Sequence, residues 1–371
     1  MQEIKNYLDS FTAVAENPKA QLDAACGSGK KAVGCLTYYC PEELAYAAGM
    51  LTFGIWGSEN IRISEAKKYF PAFYCSVVQT SLELGLKGTF DQLSAVMIPA
   101  LCDTLKCMTQ NWKVGVKNVE VIPVIHPQNR KTEAGVEFLT SQYRKIRTRL
   151  EEISGSTITD EKLINAIGVY NLHRKVMREF TEIAARYPHL ISPAQRSAVI
   201  KSGYFMDKAE HAKQVAELIE ACKRQPVEAW KGKKVLTTGS ASILQILEEN
   251  GVAVAADDVA AESRQFRTAV PVTADPIEGL AQYISLLEGC SLLYDPEKKR
   301  GEMIVELAHR SGAQGVIVLM TKLCDPEEFD YPILKEQFDA AGLPYILLEV
   351  DQQMVNYEQA RTAIQAFCDI L

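Results

Sequence analysis

The chain has 371 residues, 47% hydrophobic and 23% charged, with a formal net charge of -7 at pH 7. That length predicts two domains. The acidic balance, with no basic stripe to neutralise phosphates, excludes nucleic acid as a main partner. No apolar run approaches the roughly 20 residues that cross a bilayer. The first ten residues are charged and amphipathic and lack a signal-peptide core, which predicts a cytoplasmic protein. Ten cysteines in a reducing compartment point to metal or redox roles and to buried core thiols, not to a disulfide framework.

In chain order, residues 3–16 read as a helix with Ile4, Tyr7, Leu8, Phe11, Val14 and Ala15 on one face. Asn17-Pro18 ends it. A short strand at 31–36 leads to Pro41, Glu42 and Glu43, which suit a first helical turn and its positive dipole end. Gly49 suits the helix's end, and a second strand follows at 51–56. Residues 76–86 read as a helix broken by Gly88. A strand then ends near Pro99, and another at 118–125 runs into His126. Strand and helix thus alternate through 30–130, which predicts a doubly wound parallel sheet. Residues 133–225 carry long helical patterns at 143–153, 161–185 and 208–224. A second α/β set opens at 231, with strands predicted at 233–238, 252–256, 291–294, 315–320 and 345–350. The fold class is α/β: two Rossmann-like or flavodoxin-like domains, at 1–155 and 231–371, joined by a helical connector at 156–230.

The informative residues are cysteines at sheet ends. Cys102-Asp103 follows the strand ending at Pro99, and Cys324-Asp325 follows the strand at 315–320. Ligands of open α/β sheets bind at that carboxyl edge. Cys75 precedes the helix at 76–86. Thiolates are the usual protein ligands of iron–sulfur clusters and of structural zinc. No CxxC is present; Cys35 and Cys40, like Cys102 and Cys107, are five apart. Spacing therefore leaves both a metal site and buried apolar thiols open. Gly232 and Gly239 flank a strand, but without GxGxxG a dinucleotide site is disfavoured. Asp257-Asp258 suits either helix capping or a polar site, and His126 either a ligand or base or a hydrogen-bonded structural role. Lys298, Lys299 and Arg300 read as a solvated turn. Asp103 and Asp325 are expected to cap the helices that they open, with Pro326 at the first helical position.

Several segments together resemble one family. They are Tyr39-Cys-Pro-Glu-Glu-Leu-Ala-Tyr-Ala-Ala-Gly, Phe70-Pro-Ala-Phe-Tyr-Cys-Ser, Cys102-Asp-Thr-Leu-Lys-Cys, His126-Pro-Gln-Asn-Arg, Ala256-Asp-Asp-Val-Ala-Ala-Glu-Ser-Arg-Gln and Cys324-Asp-Pro-Glu-Glu. In this order they resemble the (R)-2-hydroxyacyl-CoA dehydratases nearly end to end. The length and the last segment resemble the smaller, beta-type subunit; benzoyl-CoA reductase subunits are relatives. The resemblance implies a heterodimer with an alpha-type subunit and a [4Fe–4S] cluster held here by Cys75, Cys102 and Cys324 at the domain interface. It also implies a separate ATP-dependent iron–sulfur activator that supplies one electron, with this chain as electron relay and the CoA-thioester substrate mainly on the partner. The implied reaction dehydrates an (R)-2-hydroxyacyl-CoA to a 2-enoyl-CoA. One electron on the thioester carbonyl makes a ketyl, which expels the adjacent hydroxide and acidifies the C3 proton. No acid–base residue is assigned to this chain. Alternative readings are a benzoyl-CoA reductase-like subunit, or a non-catalytic iron–sulfur activator or assembly protein on the same fold. The segments around Asn111-Trp112-Lys113, Lys201-Ser-Gly-Tyr-Phe-Met and Gln265-Phe-Arg-Thr incline the expected substrate to lactoyl-CoA or 2-hydroxyisocaproyl-CoA.

Overall fold

The computed structural model describes residues 1–56 and 58–371 and contains two four-stranded parallel sheets. In the first, β1 (Ala32–Cys35), β2 (Leu51–Gly54), β3 (Ala95–Pro99) and β4 (Glu120–Val124) lie in the order β2-β1-β3-β4. In the second, β5 (Lys233–Gly239), β6 (Val252–Val259), β7 (Gly315–Thr321) and β8 (Tyr345–Val350) repeat that order as β6-β5-β7-β8. Every residue of β1, β2 and β3 is buried, as expected where helices cover both faces of a parallel sheet. The α/β class and the paired sheets agree with the sequence reading. The strand expected at 291–294 does not form: Ser291 and Leu292 make a turn and Leu293 a bend. Cys290 and Leu293 are buried against the first sheet instead. A short apolar run signals burial without saying whether a strand or a loop is buried.

The helices follow from local signals. Before β1 come α1 (Gln2–Glu16) and α2 (Pro18–Gly27). Pro18 ends one helix and starts the next, where its missing N–H costs nothing. Within the first half, α3 (Glu42–Ala47) joins β1 to β2, α4 (Ser76–Leu86) precedes β3, and α5 (Asp103–Gly115) joins β3 to β4. The middle is α6 (Glu133–Ser154), α7 (Asp160–Arg186), α8 (Pro193–Ser202) and α9 (Lys208–Lys223). The sequence reading passed over α8, although Ser192 and Gln195 form a capping box and Pro193 starts the helix. The second half adds α10 (Leu244–Glu249), α11 (Pro276–Leu286), α12 (Arg300–Ser311), α13 (Asp325–Ala340) and α14 (Glu358–Ile370). Among the described residues, no helix is long and apolar enough to cross a membrane.

Packing crosses the order of the sequence. Ile277, Leu280, Tyr283 and Ile284 of α11 share one core with Val33, Leu44, Leu139 and Tyr143. Ile4, Leu8 and Phe11 of α1 pack with Phe180, Val199 and Leu218 of the middle helices. A buried Arg174–Glu43 pair at 2.5 Å ties α7 to α3, and buried Arg196 pairs with both Asp257 and Glu262. The two halves are therefore tied by α11 in the first sheet's core and by charges that would be costly to leave unpaired.

Candidate metal centre

Strand order reverses between β1 and β3, and again between β5 and β7. A crevice opens outside the carboxyl ends of the strands at such a switch point. Here the two crevices merge into one cavity of about 590 Å³, walled by Thr37 after β1, Cys102 after β3, Gly239 at the end of β5 and Cys324 after β7. Gly239 has φ +95, and a Cβ there would lie 2.3 Å from the carbonyl oxygen of Leu319. Only glycine lets β5 end so close to β7 and turn into the cavity wall.

Cys75, Cys102 and Cys324 all line this cavity. Each is the N-cap residue of a helix: Cys75 of α4, Cys102 of α5 and Cys324 of α13. Ser76 secures the first of these ends, since its hydroxyl accepts the Gln352 N–H at 3.2 Å from the chain beyond β8. Burial pushes the Cys75 thiol up to about 11, and the amides of Val77 and Val78 oppose that shift. Burial also raises Cys102, against the amides of Leu105 and Thr104. Cys324 is raised further, by burial first, then by the charge of Glu327 and by the other two thiols. Three helix N-termini thus turn donors toward three sulfurs that repel one another as thiolates.

That donor set fits an iron–sulfur cluster. Three thiolates can each bind one iron, and the positive N-terminal ends of three helices suit the negative charge carried by thiolate and sulfide sulfur. Among the described residues, no group of three or more His, Cys, Asp or Glu is set to hold a single metal ion. A cluster instead takes each thiolate on a different iron, so its ligands stand further apart than those of one ion.

Among the described residues the other seven cysteines lie outside the cavity wall. Cys290 is buried with its sulfur 2.6 Å from the Tyr39 hydroxyl, and Cys107 lies 3.3 Å from that of Tyr74. His126 lies outside the cavity wall: its Nε2 meets the Tyr39 carbonyl at 3.2 Å, its Nδ1 has no partner among the described residues, and burial lowers its pKa to about 4. Asp257 accepts the N–H of Ser263, which opens a short 3-10 helix at Ser263–Gln265, and pairs with Arg196. Asp258 is a buried hub for Arg264, Arg267 and Arg300. Arg300 is correspondingly no part of a solvated turn, being 4% exposed, whereas Lys298 and Lys299 remain about half exposed. The expected caps also fail. Neither α5 nor α13 has a side-chain cap bond. Asp103 is 93% exposed and pairs with Lys106 at 3.3 Å, while beside Asp325 it is Glu328 that accepts the Leu323 N–H. Trp112 is wholly buried and its indole N–H donates to the Val119 carbonyl.

Residues that the sequence reading left without a role also reach the cavity. Thr37 has φ 66, and its hydroxyl has no hydrogen-bond partner among the described residues. Arg264, Ser291 and Glu327 form another part of the wall. Glu327 stands in the Cys324-Asp-Pro-Glu-Glu segment. Arg300 could have been suspected, because a cation in a helix's first turn opposes the dipole unless carboxylates hold it.

A family model for the 2-hydroxyglutaryl-CoA dehydratase D-component matches residues 37–371. Over the full length of both chains, the protein is 51% identical to an (R)-phenyllactyl-CoA dehydratase beta subunit from Clostridium sporogenes. It is 41% identical to a lactoyl-CoA dehydratase subunit beta from Anaerotignum propionicum, again with 100% of both chains covered. The beta subunit of (R)-2-hydroxyglutaryl-CoA dehydratase from Acidaminococcus fermentans is also 41% identical, over 99% of this chain and 100% of its own. With cysteine-capped helices meeting between two α/β sheets, the chain belongs to the 2-hydroxyglutaryl-CoA dehydratase D-component family.

Proposed function

We propose that this chain is the electron-relaying beta-type subunit of a cytoplasmic (R)-2-hydroxyacyl-CoA dehydratase, a hydro-lyase that forms 2-enoyl-CoA. The observation that carries the reading is the meeting of three N-cap cysteines, Cys75, Cys102 and Cys324, in one cavity at two switch points. Those residues would hold a [4Fe–4S] cluster, which supplies one-electron transfer when bound. The chain's own contribution is to fix three sulfurs on rigid helix ends, to aim amides at them, and to limit water around them through the buried wall of the cavity. The relatives' designation as beta subunits supports an alpha-type partner, on which the thioester would bind. An ATP-dependent iron–sulfur activator would deliver the electron. Within the family, an apolar acyl group is proposed. The 51% relative is named for phenyllactyl-CoA, so that thioester belongs on a test panel beside lactoyl-CoA and 2-hydroxyisocaproyl-CoA.

The test is anaerobic purification with the partner subunit, followed by iron, sulfide and optical analysis. Addition of activator and ATP should then start dehydration of at least one apolar 2-hydroxyacyl-CoA. Protein without iron, or a single chain that dehydrates without partner or activator, overturns the assignment.

A further inference from the structure

One side of the cavity carries buried charge, and its geometry gives Glu327 a specific task. Glu327 lies in the first turn of α13, where its N–H donates to the Cys324 carbonyl at 3.0 Å. Its carboxylate lines the cavity, and the residue is 8% exposed. Arg300 Nη2 lies 2.7 Å from one oxygen, and Arg264 Nη1 lies 3.3 Å from the other. The Ser291 hydroxyl also donates to that second oxygen, at 2.8 Å. Both arginines are shared. Arg264 and Arg300 contact Asp258 at 2.8 and 3.0 Å, Arg267 contacts it at 2.7 Å, and Arg300 also reaches Asp330 at 3.4 Å.

Arg264 and Arg300, though shared with Asp258 and Asp330, thus meet Glu327 as an ionised carboxylate. It stands one helical turn from Cys324, and the two residues line the same cavity. Asp103 and Asp325 stand nearer to cysteines in sequence, but both are exposed. Water and salt screen such charges, whereas a buried one acts through a less polarisable medium. Adding an electron to a cluster adds negative charge, so a buried carboxylate beside a ligand disfavours the reduced form. Net charge and hydrogen bonding near the sulfurs are established determinants of cluster potential.

We propose that Glu327 is a positioning residue whose buried carboxylate, shared with Arg264, Arg300 and Ser291, holds the reduction potential of the Cys324-ligated cluster low. This rests on the cluster reading above. A low potential is what lets a relay pass its electron on to an acceptor that is itself hard to reduce.

The experiment is a redox titration followed by EPR on the anaerobically purified heterodimer, with iron content measured in parallel. This chain's signal is the one lost in Cys324→Ser. Glu327→Gln keeps the shape of the side chain and removes its charge. It should favour the reduced form at least tenfold, a shift of about 59 mV for one electron, to less negative potential. Ser291→Ala removes one donor and leaves the charge less masked, so its smaller shift should have the opposite sign. Asp103→Asn should leave the midpoint unmoved. Full iron in Glu327→Gln with an unmoved midpoint overturns the proposal. Where Glu327→Gln fails to hold iron, Ser291→Ala decides, and an unmoved midpoint there overturns it too. A wild-type heterodimer without iron in this chain fails on a separate readout, and takes the cluster reading and this inference down together.

Discussion

The two halves share one topology and use it differently. Strands β1 to β4 and β5 to β8 have the same order, so β3 and β7 are equivalent, and each is followed by a cysteine that caps the next helix. The connections between the second and third strands then diverge. In the first half that connection carries Cys75 at the start of α4, within the cavity wall. In the second half it carries Asp258's partners Arg264, Arg267 and Arg300. Its cysteine, Cys290, is turned away into the core beside Tyr38 and Tyr39. One fold thus supplies two sulfurs by symmetry, a third from one half only, and buried charge from the other half only. A switch point fixes where a ligand binds, while the crossover before the third strand decides what chemistry meets it.

The strongest way to break this comparison is to exchange sulfur for oxygen at each position. Cys75→Ser, Cys102→Ser and Cys324→Ser should each lose most of the bound iron, and Cys290→Ser should lose none. Iron analysis of anaerobically purified protein checks this. Retention by Cys75→Ser would mean that the symmetric pair suffices. Next comes the buried charge of the second half. Arg300→Met leaves Asp258, Glu327 and Asp330 short of a partner, and stability should fall by about 3–5 kcal/mol, the usual result of breaking a buried pair from one side. In the first half, Arg149→Ala removes exposed pairs to Glu120 and Glu152 and should change the denaturation midpoint little.

The same contrast shows what the sequence could convey. The sheets were legible because buried parallel strands read as continuous apolar runs between turns. The crevices were legible because chain order alone implies a reversal between first and third strands. The ion network was not. Asp257 meets Arg196, and Asp258 meets Arg300, only once distant segments have folded together, and charged residues near Gly301 or Ser263 look solvated until the fold removes their water. The absent strand at 291–294 failed for a related reason: its apolar residues fill the other half's core.

Acid should separate the halves further. Burial lowers His126 to about 4 and His211 to about 3, and His173 is lowered as well. The native state therefore refuses protons that the unfolded chain accepts. Stability falls as pH drops from about 6.5 and stops falling once pH is below the folded value. For His126 the loss approaches about 3 kcal/mol by pH 4. His309, in the second half, is exposed, and Asp258 there is held far below the usual carboxylate range by its arginines. Hydrogen exchange at pH 7 and pH 5 should show amides of β1, β4 and α7 losing protection before those of β5 and β7. His126→Gln should flatten part of that dependence, and equal losses in both halves would contradict it.

The smallest effect tests the helix ends that carry the cysteines. A true cap such as Ser192, which accepts the Gln195 N–H at 3.3 Å, should cost about 1 kcal/mol when changed to Ala. Asp103 and Asp325 follow their N-caps and accept none of the first-turn amides. Asp103 pairs with Lys106 at the surface, and both carboxylates face the helix dipole from water-exposed positions, where salt screens them. Asp103→Ala and Asp325→Ala should therefore cost less than Ser192→Ala, and the difference from wild type should shrink in high salt. Thermal or denaturant unfolding of the three variants at low and high ionic strength makes the measurement. A salt-independent loss at Asp325 as large as that at Ser192 would mean that its carboxylate takes up amides of α13. The sulfur of Cys324 would then share its helix end with a competing acceptor, and the two third-strand cysteines would no longer be equivalent.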